Sequence, residues 1–367
     1  MKPKRLLCFV SSMDAGGAET FLMKIYRIID KRKYQFDFVV NSSKEGFYDK
    51  EIYKLGGKIF YVPPKSANVF EFAYNVYKIV KSNKYNYCLR MSAHSFGALD
   101  LLIAKFAGTK QLVLRSTNSG NSNGGVSSLL DKAFFWLPIF VPTVKIAPST
   151  EAADFVFGKN YAKSRKVTIL KNAILIESYK FDVKKRNSIR KELGLENKLV
   201  VGHIGRFNVQ KNHKFLVEIF KEVADSNDNA ILLLVGKGEI EKDIKIQIKN
   251  LNLCKKVVFT GIRKDVPSLL MAMDVMVFPS FFEGMPNVII EAQATGLPCL
   301  LSNKITKEVA ITDAVTFLSL ETKCYEWSNM VLNKKNIHRE VYAERVKCAG
   351  YDIRDICKEF EKLVFKS

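Results

Sequence analysis

Two glutamates, Glu283 and Glu291, stand with seven residues between them in the segment FFEGMPNVIIEAQATGLPCL, residues 281–300. Gly284-Met285-Pro286-Asn287 follows the first. From Asn287 the pattern reads as a helix through Ala294, ended by Gly296 and Pro298. Glu283 is then a loop residue and Glu291 lies on the first turns of the helix. A carboxylate accepts two hydrogen bonds from a diol, while loop N–H groups and a helix N-terminus favour phosphate. The segment can therefore hold a diphosphate and sugar hydroxyls at once, with amides around Gly284, Met285 and Asn287 facing the phosphates. Pro286 has no N–H to give. The plain alternative is a solvated loop glutamate and a surface helix glutamate.

Other candidates fall at the ends of apolar runs. Arg206 in Gly205-Arg206-Phe207 and Lys211 in Gln210-Lys211-Asn212 can converge on a diphosphate and neutralise it as a leaving group. Two solvated surface cations are the alternative reading. Gly236 and Gly238 form a glycine turn after LLLV, and Gly16-Gly17 precede Ala18-Glu19. Neither completes the G-x-G-x-x-G fingerprint, so a nicotinamide-dependent dehydrogenase has little support. Arg263 follows Phe259-Thr260-Gly261, another strand end, where open α/β sheets bind ligands. His94, in RMSAHSFGA, follows a strand and is surrounded by small residues. Glu19 fits either a site role or the dipole of its helix.

Short β-branched or aromatic runs alternate with amphipathic helical stretches, the mark of α/β domains with parallel sheets. The expected strands are Leu6–Val10, Phe36–Val40, Ile59–Val62, Tyr87–Arg90, Gln111–Arg115 and Lys145–Ala147, then Val200–Ile204, Ala230–Val235, Val257–Thr260, Val275–Phe278 and Pro298–Leu301. Glu19 to Ile29 is an expected helix. A Ser/Asn/Gly-rich loop over 116–128 is the most flexible-looking part of the chain. The aromatic stretch AFFWLPIFVPTV (133–144) reads either as a buried helix and strand or as a segment dipping into a membrane interface. The charged stretch at 175–198 reads as an interdomain linker, and Ile353–Phe365 as a final amphipathic helix.

With 367 residues and 47% hydrophobic content the chain suits two domains with full cores. No apolar run is long enough for a transmembrane helix, and the N-terminal apolar run is too short for a signal peptide. Seven scattered cysteines without a C-x-x-C pair point to free thiols in a reducing, cytoplasmic setting. Cysteines and histidines offer no metal-ligand spacing, and no D-x-D triplet occurs. The net charge is +21, and it is uneven. Residues 1–180 hold 28 Lys and Arg against 13 Asp and Glu, a difference of +15. Such a half suits an anionic partner, whether nucleic acid, anionic membrane or phosphorylated substrate. General solubility is the alternative.

The E-x7-E segment, Gly205-Arg206-Phe207 with Gln210-Lys211-Asn212, and SSMDAGGAETF (11–21) together resemble the retaining family 4 glycosyltransferases of GT-B fold. Within that group the likeness is to bacterial enzymes of capsular and exopolysaccharide assembly. The resemblance implies an α/β GT-B architecture, two Rossmann-like doubly wound domains facing a central cleft. Residues 1–180 would bind the acceptor, 181–350 the nucleotide sugar, and 351–367 would cross back onto the first domain. It implies a metal-independent transfer without cofactor, with Arg206 and Lys211 on the leaving diphosphate. Glu283 would contact the sugar, Glu291 the ribose and Arg263 the base. Gly16, Gly17 and Gly236 would allow close approach, and His94 would lie beside the sugar. It further implies a UDP-sugar donor, a polyprenyl-diphosphate-linked acceptor, and peripheral attachment at the inner face of an anionic membrane. ILKNAILIESYKF (169–181) resembles the family's N-G-[IV]-D segment in Asn172 alone. Where many relatives carry a strand-end histidine, this chain has Arg115-Ser116-Thr117-Asn118. The alternatives are a GT-B sugar-nucleotide epimerase and a basic nucleic-acid-binding protein, though no nucleic-acid module is recognisable.

Overall fold

The computed structural model describes residues 2–14, 16–42, 44–117, 133–159, 161, 166–334 and 337–366. The Ser/Asn/Gly-rich loop lies outside the described residues beyond Thr117. The chain folds as two compact units, Met1–Ala173 with Ile353–Ser367, and Ile174–Asp352.

The first unit is built on a seven-stranded parallel sheet: β1 Lys4–Val10, β2 Tyr34–Val40, β3 Ile59–Tyr61, β4 Tyr87–Ser92, β5 Gln111–Ser116, β6 Val144–Ala147 and β7 Thr168–Ile169. Their order is β3-β2-β1-β4-β5-β6-β7. Strands such as LLCFV in β1 are apolar at consecutive positions because helices cover both faces of a parallel sheet. The final helix, Ile353–Val364, belongs to this unit; its Phe360 packs edge-on against Phe21, 6.4 Å between ring centres.

The second unit holds six parallel strands: β8 Leu199–Ile204, β9 Ala230–Val235, β10 Val257–Gly261, β11 Val275–Phe278, β12 Cys299–Ser302 and β13 Val315–Leu318. They run in the order β10-β9-β8-β11-β12-β13. Alternation along each strand divides its core in two. Val201, Leu232, Leu234 and Val277 face one side with helix His213–Ser226. Val200, Leu233, Met276 and Phe278 face the other with helix Asn287–Ala294.

Each expected strand is present. Two short ones, β7 and β13, were not expected. The stretch read as a linker is a correction: 175–198 contains helices Ile176–Tyr179 and Val183–Glu192 inside the second unit. Its two arginines are paired there. Arg186 lies 2.6 Å and Arg190 3.3 Å from the Asp274 carboxylate, which also accepts the Val200 N–H. The aromatic stretch includes a short helix, Leu137–Phe140, before β6. Leu137 and Val141 are buried, while Phe135 and Phe140 stay exposed.

Candidate active site

In both sheets the strand order reverses next to the first strand of the unit, between β1 and β4 and between β8 and β11. Loops leaving the C-terminal ends of two such strands diverge, and the gap between them is where open α/β sheets bind ligands. Most of the sequence candidates fall at these two points, while Gly236 follows β9 and Arg263 follows β10. Gly16, Gly17 and Glu19 follow β1, and His94 follows β4. Gly205, Arg206 and Lys211 follow β8, and Glu283 to Asn287 follow β11.

The second unit carries the denser constellation. Lys211 Nζ donates to Glu283 Oε1 at 2.6 Å, across 72 residues of sequence. Both side chains are largely shielded, at 15% and 12% exposure. The ammonium also lies 4.5 Å from the centre of the Phe278 ring. One backbone and two side-chain hydrogen bonds hold the two loops together: Phe281 N–H donates to Gln210 O at 2.9 Å, Gln210 Nε2 to Phe282 O at 3.0 Å and Asn212 Nδ2 to Pro279 O at 3.2 Å. Gln210 and Asn212 thus lace the site, a role that depends on contacts far away in sequence.

Behind this pair lie buried polar atoms that no described group satisfies: His203 Nε2, both ring nitrogens of His213, Ser280 Oγ and Asn287 Oδ1. His203 Nδ1 sits 3.0 Å from Val277 O, and its ring stacks on Phe278. His213 stacks on Phe207, 4.2 Å between centres. Burial first, then the charge of Lys211, lowers the His213 pKa to about 4. Both imidazoles are therefore neutral at neutral pH, since burial pushes His203 lower as well.

Helix Asn287–Ala294 begins at Pro286 with no side-chain cap; the Ile289 N–H bonds Pro286 O at 3.0 Å, and the N-terminus as a whole favours an anion. Glu291 is buried on this helix. Tyr179 faces it: burial, then the charge of Glu291 and a hydrogen bond to it, raises the phenol well above its ordinary pKa. Nothing in the sequence pattern signals Tyr179.

The glycine turn after β9 sits hard against the loop after β8. A Cβ on Gly236, at φ +135°, would run into Gly205 O, and one on Gly238 into Phe207 O. Arg206 does not join Lys211. Its guanidinium is exposed and pairs with Glu239 at 3.2 Å. Arg263 is held by Asp265 at 2.7 Å and Glu192 at 2.9 Å, which raise its pKa.

In the first unit, helix Gly17–Ile28 starts at Gly16 without a side-chain cap, and a Cβ on Gly16 would meet the Glu19 carboxylate. Burial raises the Glu19 pKa. His94 opens the short turn Ser95–Ala98, pinned by Ser92 Oγ donating to His94 O at 2.8 Å. Near this turn Asp100 is shared by Lys65 and by Arg90 at 3.1 Å. Arg115, 2% exposed, has no carboxylate partner among the described residues. It donates to Asn172 Oδ1 at 2.7 Å and to Leu170 O at 3.2 Å, with its guanidinium 3.7 Å from the Phe21 ring centre. The strand-end arginine thus holds the one residue matched in the 169–181 segment. Asn118 lies outside the described residues.

Residues 198–323 match the family model "Glycosyl transferases group 1". EpsF of Bacillus subtilis (strain 168), named a glycosyltransferase, is 32% identical over 95% of this chain and 93% of its own length. This chain belongs to the group 1 glycosyl transferases. The group 1 enzyme is also 30% identical, over 67% of its length and 66% of the relative's, to the UDP-Gal:alpha-D-GlcNAc-diphosphoundecaprenol alpha-1,3-galactosyltransferase of Escherichia coli. Its fold matches that of Anabaena Alr3699/HepE, solved in complex with UDP and glucose, with a TM-score of 0.80 over 99% of both chains at 20% identity. The chain is thus a glycosyltransferase on a framework of two Rossmann-like units.

Proposed function

We propose that this glycosyltransferase moves a sugar from a UDP-sugar to a lipid-linked saccharide during assembly of a cell-surface polysaccharide, with retention of configuration and without a metal ion. The observation that carries the reading is the Lys211–Glu283 pair at 2.6 Å, bridging the loops after β8 and β11 beside the uncapped helix that bears Glu291. A lysine and a helix N-terminus together supply the positive field that a departing diphosphate needs. Glu283 is placed to exchange its lysine partner for sugar hydroxyls, and Glu291, steadied by Tyr179, for those of the ribose. The exposed Arg206–Glu239 pair is weak, so Arg206 is free to swing onto the phosphates. Bond making and breaking balance simply: the anomeric carbon loses its β-phosphate oxygen, gains the acceptor oxygen on the same face, and the acceptor proton passes to the diphosphate.

The donor and acceptor assignments lean on the Escherichia coli relative, whose name contains a UDP donor and a diphosphoundecaprenol acceptor. The +15 charge of residues 1–180 suits that anionic acceptor and a place at the inner membrane face. No helix among the described residues is long and apolar enough to cross a membrane. The test is product analysis with a panel of UDP-, GDP- and ADP-sugars and a polyprenyl-diphosphate-linked monosaccharide, in excess EDTA. A UDP-sugar should yield a disaccharide whose anomeric configuration, read by NMR, matches the donor. An inverted product, a strict need for divalent metal, or turnover of the donor without acceptor each removes the corresponding part of the reading.

A further inference from the structure

Helix Val69–Asn83 is apolar on two sides. Phe72, Val76 and Val80 enter the core of the first unit. About a third of a turn away, Phe70, Tyr74, Tyr77 and Lys81 fall on one stripe at helical spacing, and all four are exposed, Phe70 at 84%. A helix on a soluble surface normally carries charge there. The neighbouring helix Leu99–Phe106 buries Leu101 and Ala104 in the same core, and Leu137–Phe140 buries Leu137 in it. The three therefore form one layer, and each presents aromatic side chains outward: Phe106 and Phe140 are both 74% exposed.

Isolated exposed apolar residues need no explanation, but a set spread over adjacent helices marks a binding face. Its chemistry is mixed. Lys78, Lys81, Lys84, Lys105 and Lys110 are exposed along the same helices and the turns that end them, and Glu71 is the one exposed acid on the three helices. Side chains at such exposure do not shield one another as the walls of a peptide groove would. Aromatic rings on ridges, flanked by lysines, suit a flat partner with an apolar interior and negative head groups.

We propose that the outer face of helices Val69–Asn83, Leu99–Phe106 and Leu137–Phe140 lies on an anionic lipid bilayer, with the aromatics inserted at head-group level and the lysines on the lipid phosphates. The inference rests on the reading of the acceptor as lipid-linked, and it assigns the docking surface to these helices.

The experiment is co-sedimentation of the full chain with phosphatidylcholine vesicles, with and without phosphatidylglycerol. It is run on the wild type, on Phe70→Ser/Tyr74→Ser/Phe106→Ser and on Lys78→Gln/Lys81→Gln/Lys105→Gln. Thermal stabilisation by UDP, whose expected site lies in the other unit, is measured on every variant. The wild type should bind the anionic vesicles and release at high salt. Loss of three lysines should weaken binding on the order of a hundredfold, and loss of the aromatics should weaken it with little effect on its salt dependence. The UDP response should be unchanged throughout. Wild type that ignores anionic vesicles, or variants that bind as it does, overturns the proposal while leaving the donor reading intact. A dimer seen by light scattering and abolished by the aromatic variant would assign the face to a second copy and overturn it equally.

Discussion

Lys211 and Glu283 sit where each depends on the other. Both are largely shielded, so replacing Lys211 by Met leaves a carboxylate without its cation, and we expect both stability and catalysis to suffer. Loss of one charge aimed at a developing oxyanion typically costs about 10²–10³ in kcat. Lys211→Met should fall in that range, whereas Tyr179→Phe should mainly raise the donor KM, since the phenol only steadies Glu291. Steady-state kinetics on the two variants checks the split; equal losses of kcat in both would sink the assignment. His213 allows a prediction in pH. Its pKa is about 4 in the fold and about 6.5 unfolded. A neutral buried imidazole contributes stability above pH 6.5 that is lost as pH falls through 4, roughly 3 kcal/mol in all. Melting temperature against pH should therefore fall less steeply in His213→Phe than in the wild type, and parallel curves would refute it. At this scale residue type and spacing singled out Glu283, Glu291 and Lys211 as candidates, and the structure pairs Lys211 with Glu283. Tyr179, Gln210, Asn212 and the His203–His213 stack stayed hidden because their roles arise from contacts between distant segments. At Arg263 and Arg206, each read as a ligand contact because a basic residue stands at a strand end, the structure also supplies acidic neighbours, Asp265 with Glu192 and Glu239, which the sequence pattern did not signal.

The elements explain why the site residues meet. Reversal of strand order between β8 and β11 separates two loops, and the glycine turn after β9 is pressed onto the first of them. Gly236 combines φ +135° with the carbonyl of Gly205 where a Cβ would stand. Gly236→Ala should destabilise the second unit by roughly 1–3 kcal/mol or more and weaken nucleotide binding, because the displaced loop carries Arg206 and Lys211. A thermal melt indistinguishable from wild type would show that the loop yields without cost. Most strands were legible because helices cover both faces of a parallel sheet and leave continuous apolar runs. β7 and β13 were not, since two to four partly buried residues at a sheet edge leave almost no pattern. The 175–198 stretch misled for an electrostatic reason. Its arginines looked solvated in the sequence, yet Arg186 and Arg190 are spent on Asp274 and on the carbonyls of Met271 and Ala272 at the end of a helix.

Across the whole molecule, charge and function divide along the chain. The weakly charged second half, with its +6 of the total +21, holds the best-formed ligand constellation. The basic first half holds the aromatic, lysine-edged helical face. The proposed function requires that the loops after β8 and β11 and the helix of Glu291 bind a nucleoside diphosphate. It is tested most directly by thermal stabilisation with UDP, GDP, ADP and CDP in excess EDTA, on wild type, Lys211→Met and Glu291→Ala. A nucleotide at 100 times its dissociation constant should add about 2.7 kcal/mol to stability. UDP alone should give this shift, EDTA should leave it unchanged, and both substitutions should abolish it. No response to any of the four nucleotides, or a UDP response that survives in both variants, would contradict it.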